Sequence, residues 1–158
     1  MAKVLVCYYT RTGNTQHMAE AIAEGIDKTN AAAEVRPVGE LSAEDLTGYD
    51  AIVMGSPTYY GTMAAELKQL LDESVAFHGQ LDGKVGGAFS SSANIAGGNE
   101  TTIMDILKAM LIHGMVVQGT PKGDHYGPVA IGDLDDRSRT QCHHYGRLVA
   151  ELAIKLHG

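Results

Sequence analysis

The sequence contains no tryptophan, two cysteines, four prolines, and 12 basic residues against 19 acidic ones. Cys7 and Cys142 are far apart along the chain, and Cys7 lies in an apolar run, so we expect no disulfide and a reducing, cytoplasmic environment. The net charge of -7, without any stripe of Lys and Arg, argues against nucleic acid as a partner. No apolar run approaches the roughly 18 residues of a membrane span, and the first residues lack a signal-peptide cleavage site. These absences favour a soluble intracellular protein.

The residues that are present are typical of a folded globular chain. Of the 158 residues, 44% are hydrophobic and 20% are charged, close to the average of soluble domains. A chain of this length suits one hydrophobic core and leaves little room for a second. We therefore predict a single domain spanning residues 1–158.

Short apolar runs alternate with segments of helical periodicity. The runs predict strands, and apolar residues recurring every three or four positions predict helices. Predicted strands lie at 4–9, 34–38, 51–55, 85–89 and 115–117, the last with a candidate continuation at 129–131; predicted helices lie at about 15–28, 64–71, 103–111 and 148–156. This alternation predicts an α/β fold: a doubly wound, five-stranded parallel sheet in the order 2-1-3-4-5, with helices on both faces.

In such sheets, ligands bind beyond the carboxyl ends of the strands, at the point where the strand order reverses. In the predicted order this point lies between the first and third strands. The candidate binding loops are therefore residues 10–15, 56–61 and 90–99.

The first of these loops has the composition of an anion-binding nest. Hydroxyls, a glycine and the free amides of a helix N-terminus can together hold a phosphate dianion without a lysine. The loop lacks the G-K-[ST] ending of a P-loop and the G-x-G-x-x-G of a dinucleotide fold, which favours a mononucleotide. Two plainer interpretations stay open: Asn14 or Thr15 as an ordinary helix N-cap, and Arg11 as a solvated side chain. The residues of this loop are Thr10, Arg11, Thr12, Gly13, Asn14 and Thr15.

The other two loops could receive a flat ring. Backbone groups and tyrosine rings suit the edge and face of an aromatic heterocycle, and small residues let the backbone pass close to it. Ordinary loop packing of the tyrosines and a flexible connection after the fourth strand are the alternatives. The residues concerned are Pro57, Thr58, Tyr59, Tyr60 and Gly61 after the third strand, and Ser91, Ser92, Ala93, Asn94, Ile95, Ala96, Gly97 and Gly98 after the fourth.

Together these loops resemble the flavodoxin-like superfamily, in which T-x-T-G-N-T binds the phosphate of FMN. A closer similarity is to the WrbA family of FMN-dependent NAD(P)H:quinone oxidoreductases, in a short form. The similar segments are MAKVLVCYY, YDAIVMGSPTYYGTMAAELKQLLD, FSSSANIAGGNETTI, HGM at 113–115 and YGRLVAELAIKLHG. The sequence departs from that family in a shorter connection at 38–50, in residues missing within 119–128, and in a threonine-rich phosphate loop.

The resemblance implies FMN as the bound cofactor and NAD(P)H as the reductant. Cofactor contacts are then expected from three groups: Thr10 to Thr15 for the phosphate, Thr58 to Tyr60 for the isoalloxazine or ribityl group, and Ser91 to Gly98 as a cofactor loop. It also implies that His113 lies near the flavin and His78 near the substrate. Because the flavin performs the chemistry, no catalytic side chain and no metal ligand is predicted.

The leading functional hypothesis is two-electron transfer from NAD(P)H to a quinone by a protein that can form a homo-oligomer. One alternative is a flavodoxin-type one-electron carrier between redox proteins. Carriers depress the flavin potential with nearby negative charge, and the segment SSSANIAGGN carries no carboxylate, which argues against this alternative. The other alternative is a non-catalytic FMN-dependent module that binds a partner.

Overall fold

A parallel sheet with helices on both faces forms the computed structural model, which describes all residues from 1 to 158. Short 3-10 turns cover Val38–Glu40, Glu44–Gly48 and Ser74–Phe77. The strands are β1 (Ala2–Tyr8), β2 (Ala31–Pro37), β3 (Ala51–Pro57), β4 (Val85–Ser92), β5 (Val116–Val117) and β6 (Val129–Ile131). The helices are α1 (Asn14–Ile26), α2 (Ala65–Glu73), α3 (Asn99–Ile112) and α4 (Asp136–His157).

The sheet has the order β2-β1-β3-β4-β5 with all pairs parallel, and β6 also pairs with β4. This confirms the predicted doubly wound order. Along β1, Val4 and Val6 pack on the face covered by α1 and α4, whereas Leu5 and Cys7 pack on the face covered by α2 and α3. Because both faces are covered, the strand forms a continuous apolar run instead of an alternating one.

The fifth position of the sheet is divided between two short strands. β5 pairs with the start of β4 at Val85 and Gly86, and β6 pairs with its end at Ser90 to Ser92. Between them the amide of Ala88 has no strand partner and donates to the hydroxyl of Tyr145 from α4 at 3.1 Å. Burial raises the pKa of Tyr145 to about 12. A side chain of α4 thus completes the hydrogen bonding where the fifth strand is interrupted.

Several predicted boundaries are wrong by a few residues. β4 ends at Ser92 and not at Phe89, because its last three residues pair with β6. β2 begins at Ala31, where a run of alanines gives little strand signal. α3 begins at Asn99, before the apolar residues that predicted it. The loop after β4 is therefore shorter than predicted, and Ser91 and Ser92 belong to the sheet.

Helices α1 and α4 pack with their backbones in direct contact. A Cβ atom added at Gly25 would overlap the carbonyl of His143, and one added at Gly146 would overlap the carbonyl of Ile22. Glycine is therefore required at both positions of this crossing. None of the four helices combines the length and apolarity needed to cross a membrane.

Candidate functional site

A cavity of about 320 Å³ lies at the carboxyl ends of β1, β3 and β4. Larger cavities lie beside the turn Glu44–Gly48 (about 410 Å³) and beside α4 (about 480 Å³), so position at the strand switch, and not size, identifies this one. All three predicted loops contribute to its wall. The lining residues are Thr10, Arg11, Thr12, Asn14, Thr15, Pro57, Thr58, Tyr59, Ser91, Ser92 and Ala93.

The loop after β1 presents unpaired hydrogen-bond donors. The backbone amides of Arg11, Thr12, Asn14 and Thr15 donate to no protein group. The first turn of α1 contains no acidic residue, so no carboxylate of this turn neutralises the partial positive charge that the helix dipole places at the N-terminus. Free amides at a helix N-terminus are a suitable receptor for an anion.

Thr15 turns inward and joins this loop to the sheet. Its side chain is buried, and its Oγ1 lies 2.9 Å from Ser91 Oγ. The interpretation of Asn14 or Thr15 as the N-cap is wrong, because the N-cap is Gly13, in a left-handed conformation with φ of 102°, and no side chain caps the helix. The amide of Gly13 instead donates to Thr10 Oγ1 at 3.0 Å, which closes the turn.

Thr58 holds the second loop against β4. Its amide donates to the Ser91 carbonyl at 2.7 Å, and its Oγ1 lies 2.9 Å from Ser90 Oγ and 3.2 Å from Thr102 Oγ1. These contacts occupy its polar groups with protein partners. Thr58 therefore shapes the wall of the cavity more than it supplies a free donor.

The two tyrosines of the second loop have different surroundings. Tyr59 lines the cavity, and its ring stands edge-on to Tyr9, with centroids 6.3 Å apart and planes at 77°. Tyr60 is fully exposed and adopts a φ of 50°, which is unusual for a residue with a side chain. Of the pair, Tyr59 forms the wall, and Tyr60 projects from the rim into solvent.

The third loop reaches the cavity only with its first residues. Ser91, Ser92 and Ala93 line it, but Asn94 to Gly98 do not, and Ile95 and Ala96 line a neighbouring cavity against β6. Gly98 fixes the far end of the loop with φ of 112°, and a Cβ there would lie 2.8 Å from Gly61 Cα. The second and third loops are thus in backbone contact at this point.

His113 and His78 lie at the opposite edge of the sheet from the cavity. His113 follows α3 just before β5, and Val116 donates to the Lys84 carbonyl at the start of β4. The structure therefore does not bring either histidine to the cavity within one chain, contrary to what the resemblance implies. The reason is that α3 begins at the carboxyl edge of the sheet and its length carries the chain to the other edge.

The two histidines form a small cluster of their own. Their ring centroids are 5.9 Å apart, and His113 Nε2 lies 2.8 Å from Ser74 Oγ. The Ser74 hydroxyl donates to the Leu71 carbonyl at 2.6 Å, so His113 Nε2 carries the proton, and its buried Nδ1 has no partner. Burial, and to a smaller extent His78, lower the pKa of His113 below its usual value.

Sequence reasoning missed three residues near the cavity. Tyr9 packs against Tyr59 at its wall, and His17, in the first turn of α1, has Nδ1 2.9 Å from Asp133 Oδ1. This contact lowers the pKa of Asp133 and joins α1 to the loop after β6. His17 lies three residues after Asn14 of the predicted phosphate loop, and this closeness in sequence was the signal that could have placed it near the cavity. Asp133 is far in sequence from all three predicted loops, so no local pattern pointed to it.

The electrostatics of the cavity suit a phosphate ester. Arg11 is the only charged residue in its lining, and no carboxylate faces it. Unpaired amides and threonine hydroxyls beside that arginine can receive a dianion, and the wall at Tyr59 and Ala93 offers flat or open surface for a ring. The residues present therefore fit the FMN implied by the sequence.

Comparison with known proteins gives a consistent set of relatives. The family model described as a flavodoxin domain matches residues 5–112. A "NAD(P)H dehydrogenase (quinone)" of Rhodopseudomonas palustris is 37% identical over the full length of both chains, and one of Sinorhizobium fredii is 37% identical over 97% of this chain and all of its own. Among solved structures, a flavodoxin, WrbA-like protein from Agrobacterium tumefaciens has a TM-score of 0.83 and 28% identity, with 99% of each chain covered. A flavodoxin from the domain Archaea has a TM-score of 0.81 and 29% identity, over 96% of this chain and 99% of its own.

The doubly wound sheet and the cavity at its strand switch define a protein of the flavodoxin class. Within that class, the full-length relatives support a more specific assignment than the fold does. This chain belongs to the flavodoxin-domain family and, within it, to the WrbA-like group that includes the NAD(P)H dehydrogenases (quinone).

Proposed function

We propose that this protein is an FMN-dependent oxidoreductase that transfers two electrons from NAD(P)H to a quinone. The observation that carries the proposal is the cavity at the strand switch, in which unpaired amides of one loop face two loops with room for a ring. Full-length relatives named for this activity support it. When bound, FMN supplies the hydride-accepting ring, so the protein needs to provide only binding, orientation and access.

Each wall of the cavity has a distinct task in this proposal. The amides of Arg11, Thr12, Asn14 and Thr15 bind the phosphate, with the guanidinium of Arg11 as the nearest cation. Tyr59 limits the position of the ring on one side. Ala93 leaves the other side uncovered, because no aromatic residue occurs between Ala93 and Gly98.

Open access to the ring favours a reductase over a carrier. A reductase must let a nicotinamide and then a quinone approach, whereas a carrier benefits from carboxylates close to the flavin. No carboxylate lines the cavity, and Ala93 to Gly97 are exposed. These features support the two-electron enzyme, with NADH or NADPH as reductant.

Steady-state oxidation of NADH and NADPH with benzoquinone tests the proposal. We expect turnover by FMN-loaded protein well above that of the same concentration of free FMN. Protein that binds FMN tightly but gives no such turnover would overturn the enzyme proposal and leave the one-electron carrier. A dithionite titration independently distinguishes the two-electron reductase from the one-electron carrier, since a carrier is reduced in two resolved one-electron steps.

We further infer that the chain forms a homo-oligomer through the surface around His78 and His113. A second copy is required to bring these histidines to a flavin, because one chain places them at the opposite edge of its sheet. Exposed apolar side chains surround them, with Val75 72% and Ile112 74% exposed, which is typical of surface that a partner covers. Sedimentation velocity should show dissociation for Ile112→Lys and none for the control Leu156→Lys; a monomeric wild type would refute this inference.

Two buried thiols support a reducing compartment. Cys7 and Cys142 are both free and buried, and burial raises the pKa of each to about 12, so neither is a reactive thiolate. We therefore propose a cytoplasmic location. We also propose that residues 1–158 act as one domain, since both core clusters pack on the same sheet.

A further inference from the structure

A second cavity of about 480 Å³ lies on the face of α4, away from the strand ends. It is bordered by the end of α1, by α4 and by the loop between β5 and β6, and no apolar residue lines it. We call it the basic cavity. The residues that define it are Lys28, Lys122, Thr140, Gln141, His144 and Arg147.

The three cations of the basic cavity have no partners, although the chain carries 19 acidic residues. Ion pairs occupy Arg36, Lys68, Lys108, Arg137 and Arg139, and Lys84 donates to two backbone carbonyls. Of the other six Lys and Arg side chains, three line this one cavity and none of those three makes a hydrogen bond or ion pair. No carboxylate lines the cavity to neutralise them.

Tertiary packing brings the backbone positions of these exposed cations together from three separate elements. Lys28 follows the backbone contact of Gly25 with His143, which fixes the end of α1 beside the middle of α4. The loop carrying Lys122 is held on α4 because the amide of Asp124 donates to Gln141 Oε1 at 3.2 Å. Arg147 lies on α4 itself, one residue after Gly146. Contacts that do not involve the charges themselves thus place three cationic residues around one cavity.

The composition of the cavity indicates a small, highly polar anion. No aliphatic side chain and no Phe, Tyr or Trp lines it, so it offers nothing to an acyl chain, and its only aromatic groups are the imidazoles of His143 and His144. Three cations, a hydroxyl at Thr140 and the free amide nitrogen of Gln141 offer several donors to clustered anionic oxygens. A volume of about 480 Å³ exceeds the needs of a single phosphate.

The surroundings disfavour an extended polyanion. Glu24 lies beside the cavity, where it contacts His143 Nε2 at 2.7 Å, and Asp124 adjoins it in an ion pair with Arg137. A nucleic acid strand would pass over these carboxylates and over a chain of net charge -7, whereas a compact ligand would not. We propose that the basic cavity binds a small polyanion of the oligophosphate class, separately from the site at the strand ends.

Pyrophosphate is the probe for this proposal, titrated calorimetrically into FMN-loaded protein so that FMN fills the phosphate loop after β1. We expect saturable binding of one pyrophosphate per chain, with inorganic phosphate binding at least about ten-fold more weakly because it engages fewer of the three cations. Lys122→Ala and Arg147→Ala should each weaken pyrophosphate binding about ten-fold or more. Quinone reductase turnover without pyrophosphate should not change, because neither residue lies in the flavin cavity.

Lys155→Ala is the matched control, since it removes an unpaired cation from the same helix outside the cavity. An equal loss of pyrophosphate affinity in Lys155→Ala and Arg147→Ala would show that binding depends on the net charge of the protein and not on the cavity, and would overturn the proposal. Absence of pyrophosphate binding to the wild type would overturn it as well. Pyrophosphate binding that is insensitive to both Lys122→Ala and Arg147→Ala would assign the ligand to another site, such as a loop after β1 left empty by FMN, and would also overturn the proposal.

Discussion

Replacing Thr12 by Asp sets a carboxylate against the ligand that the loop after β1 is proposed to bind. Thr12 lines the cavity, is exposed, and has an amide without a protein partner. The matched control is Thr12→Asn, which has nearly the same shape as Asp and no charge. The difference between these two variants isolates the electrostatic contribution from any change in packing.

The size of the effect follows from the charges and their exposure. A phosphate monoester carries about 1.5 to 2 negative charges at neutral pH. Two unit charges roughly 4 Å apart repel by about 1 kcal/mol in bulk water and by about 4 kcal/mol at an effective dielectric constant near 20. For a ligand charge of about 1.5 to 2 the repulsion becomes about 1.5 to 8 kcal/mol. Because Thr12 is exposed, we take the lower part of this range, about 1.5 to 3 kcal/mol, which is a loss of about 10- to 150-fold in FMN affinity.

Titration of the apoprotein with FMN, followed by quenching of flavin fluorescence, measures this loss. Riboflavin lacks the phosphate, so Asp and Asn variants should bind it with equal affinity. The difference in FMN affinity between the Asp and Asn variants should also become smaller in about 1 M salt, where the screening length falls to about 3 Å. Equal FMN affinity of the Asp and Asn variants would refute the assignment of the phosphate to this loop. The assignment would also be refuted if the Asp variant lost as much affinity for riboflavin as for FMN, relative to the Asn variant.

Three further substitutions test the loop contact at Gly98, the interrupted fifth strand and the histidine cluster. Gly98→Ala places a side chain at positive φ against the neighbouring loop, so FMN affinity and thermal stability should both fall, whereas Gly39→Ala, with open space around it, should change neither. Tyr145→Phe leaves a buried sheet amide without an acceptor and should lower the free energy of unfolding in urea by about 1 to 3 kcal/mol, in contrast to the exposed control Tyr126→Phe. His113 has a lowered pKa when folded, so protonation favours the unfolded chain and stability should decrease as the pH falls below 6.5, the usual pKa. His113→Gln should flatten that decrease, and an unchanged pH dependence of unfolding would show that another group causes it.

The position of the two histidines shows why a resemblance between sequences did not predict a site completely. The motif HGM supplied an expected flavin contact for His113, but α3 has 14 residues and therefore spans about 21 Å. A helix of that length, starting at the carboxyl edge of the sheet, carries its last residues to the opposite edge. Only the packed structure shows that His113 and His78 are neighbours there and that neither reaches the cavity of its own chain.

The sequence by itself determined the class of fold and the anion-binding loop, because both depend on neighbours in the chain. The apolar run of β1, the turn through Gly13 and the start of α1 are contiguous, and their residue types alone specify a strand, a nest and a helix. The tertiary structure decided where β4 ends, how Tyr145 fills the interrupted fifth strand, and which residues of the third loop reach the cavity. It also gathered Lys28, Lys122 and Arg147 into one basic cavity. These features depend on contacts between residues far apart in the sequence, for which no local pattern exists.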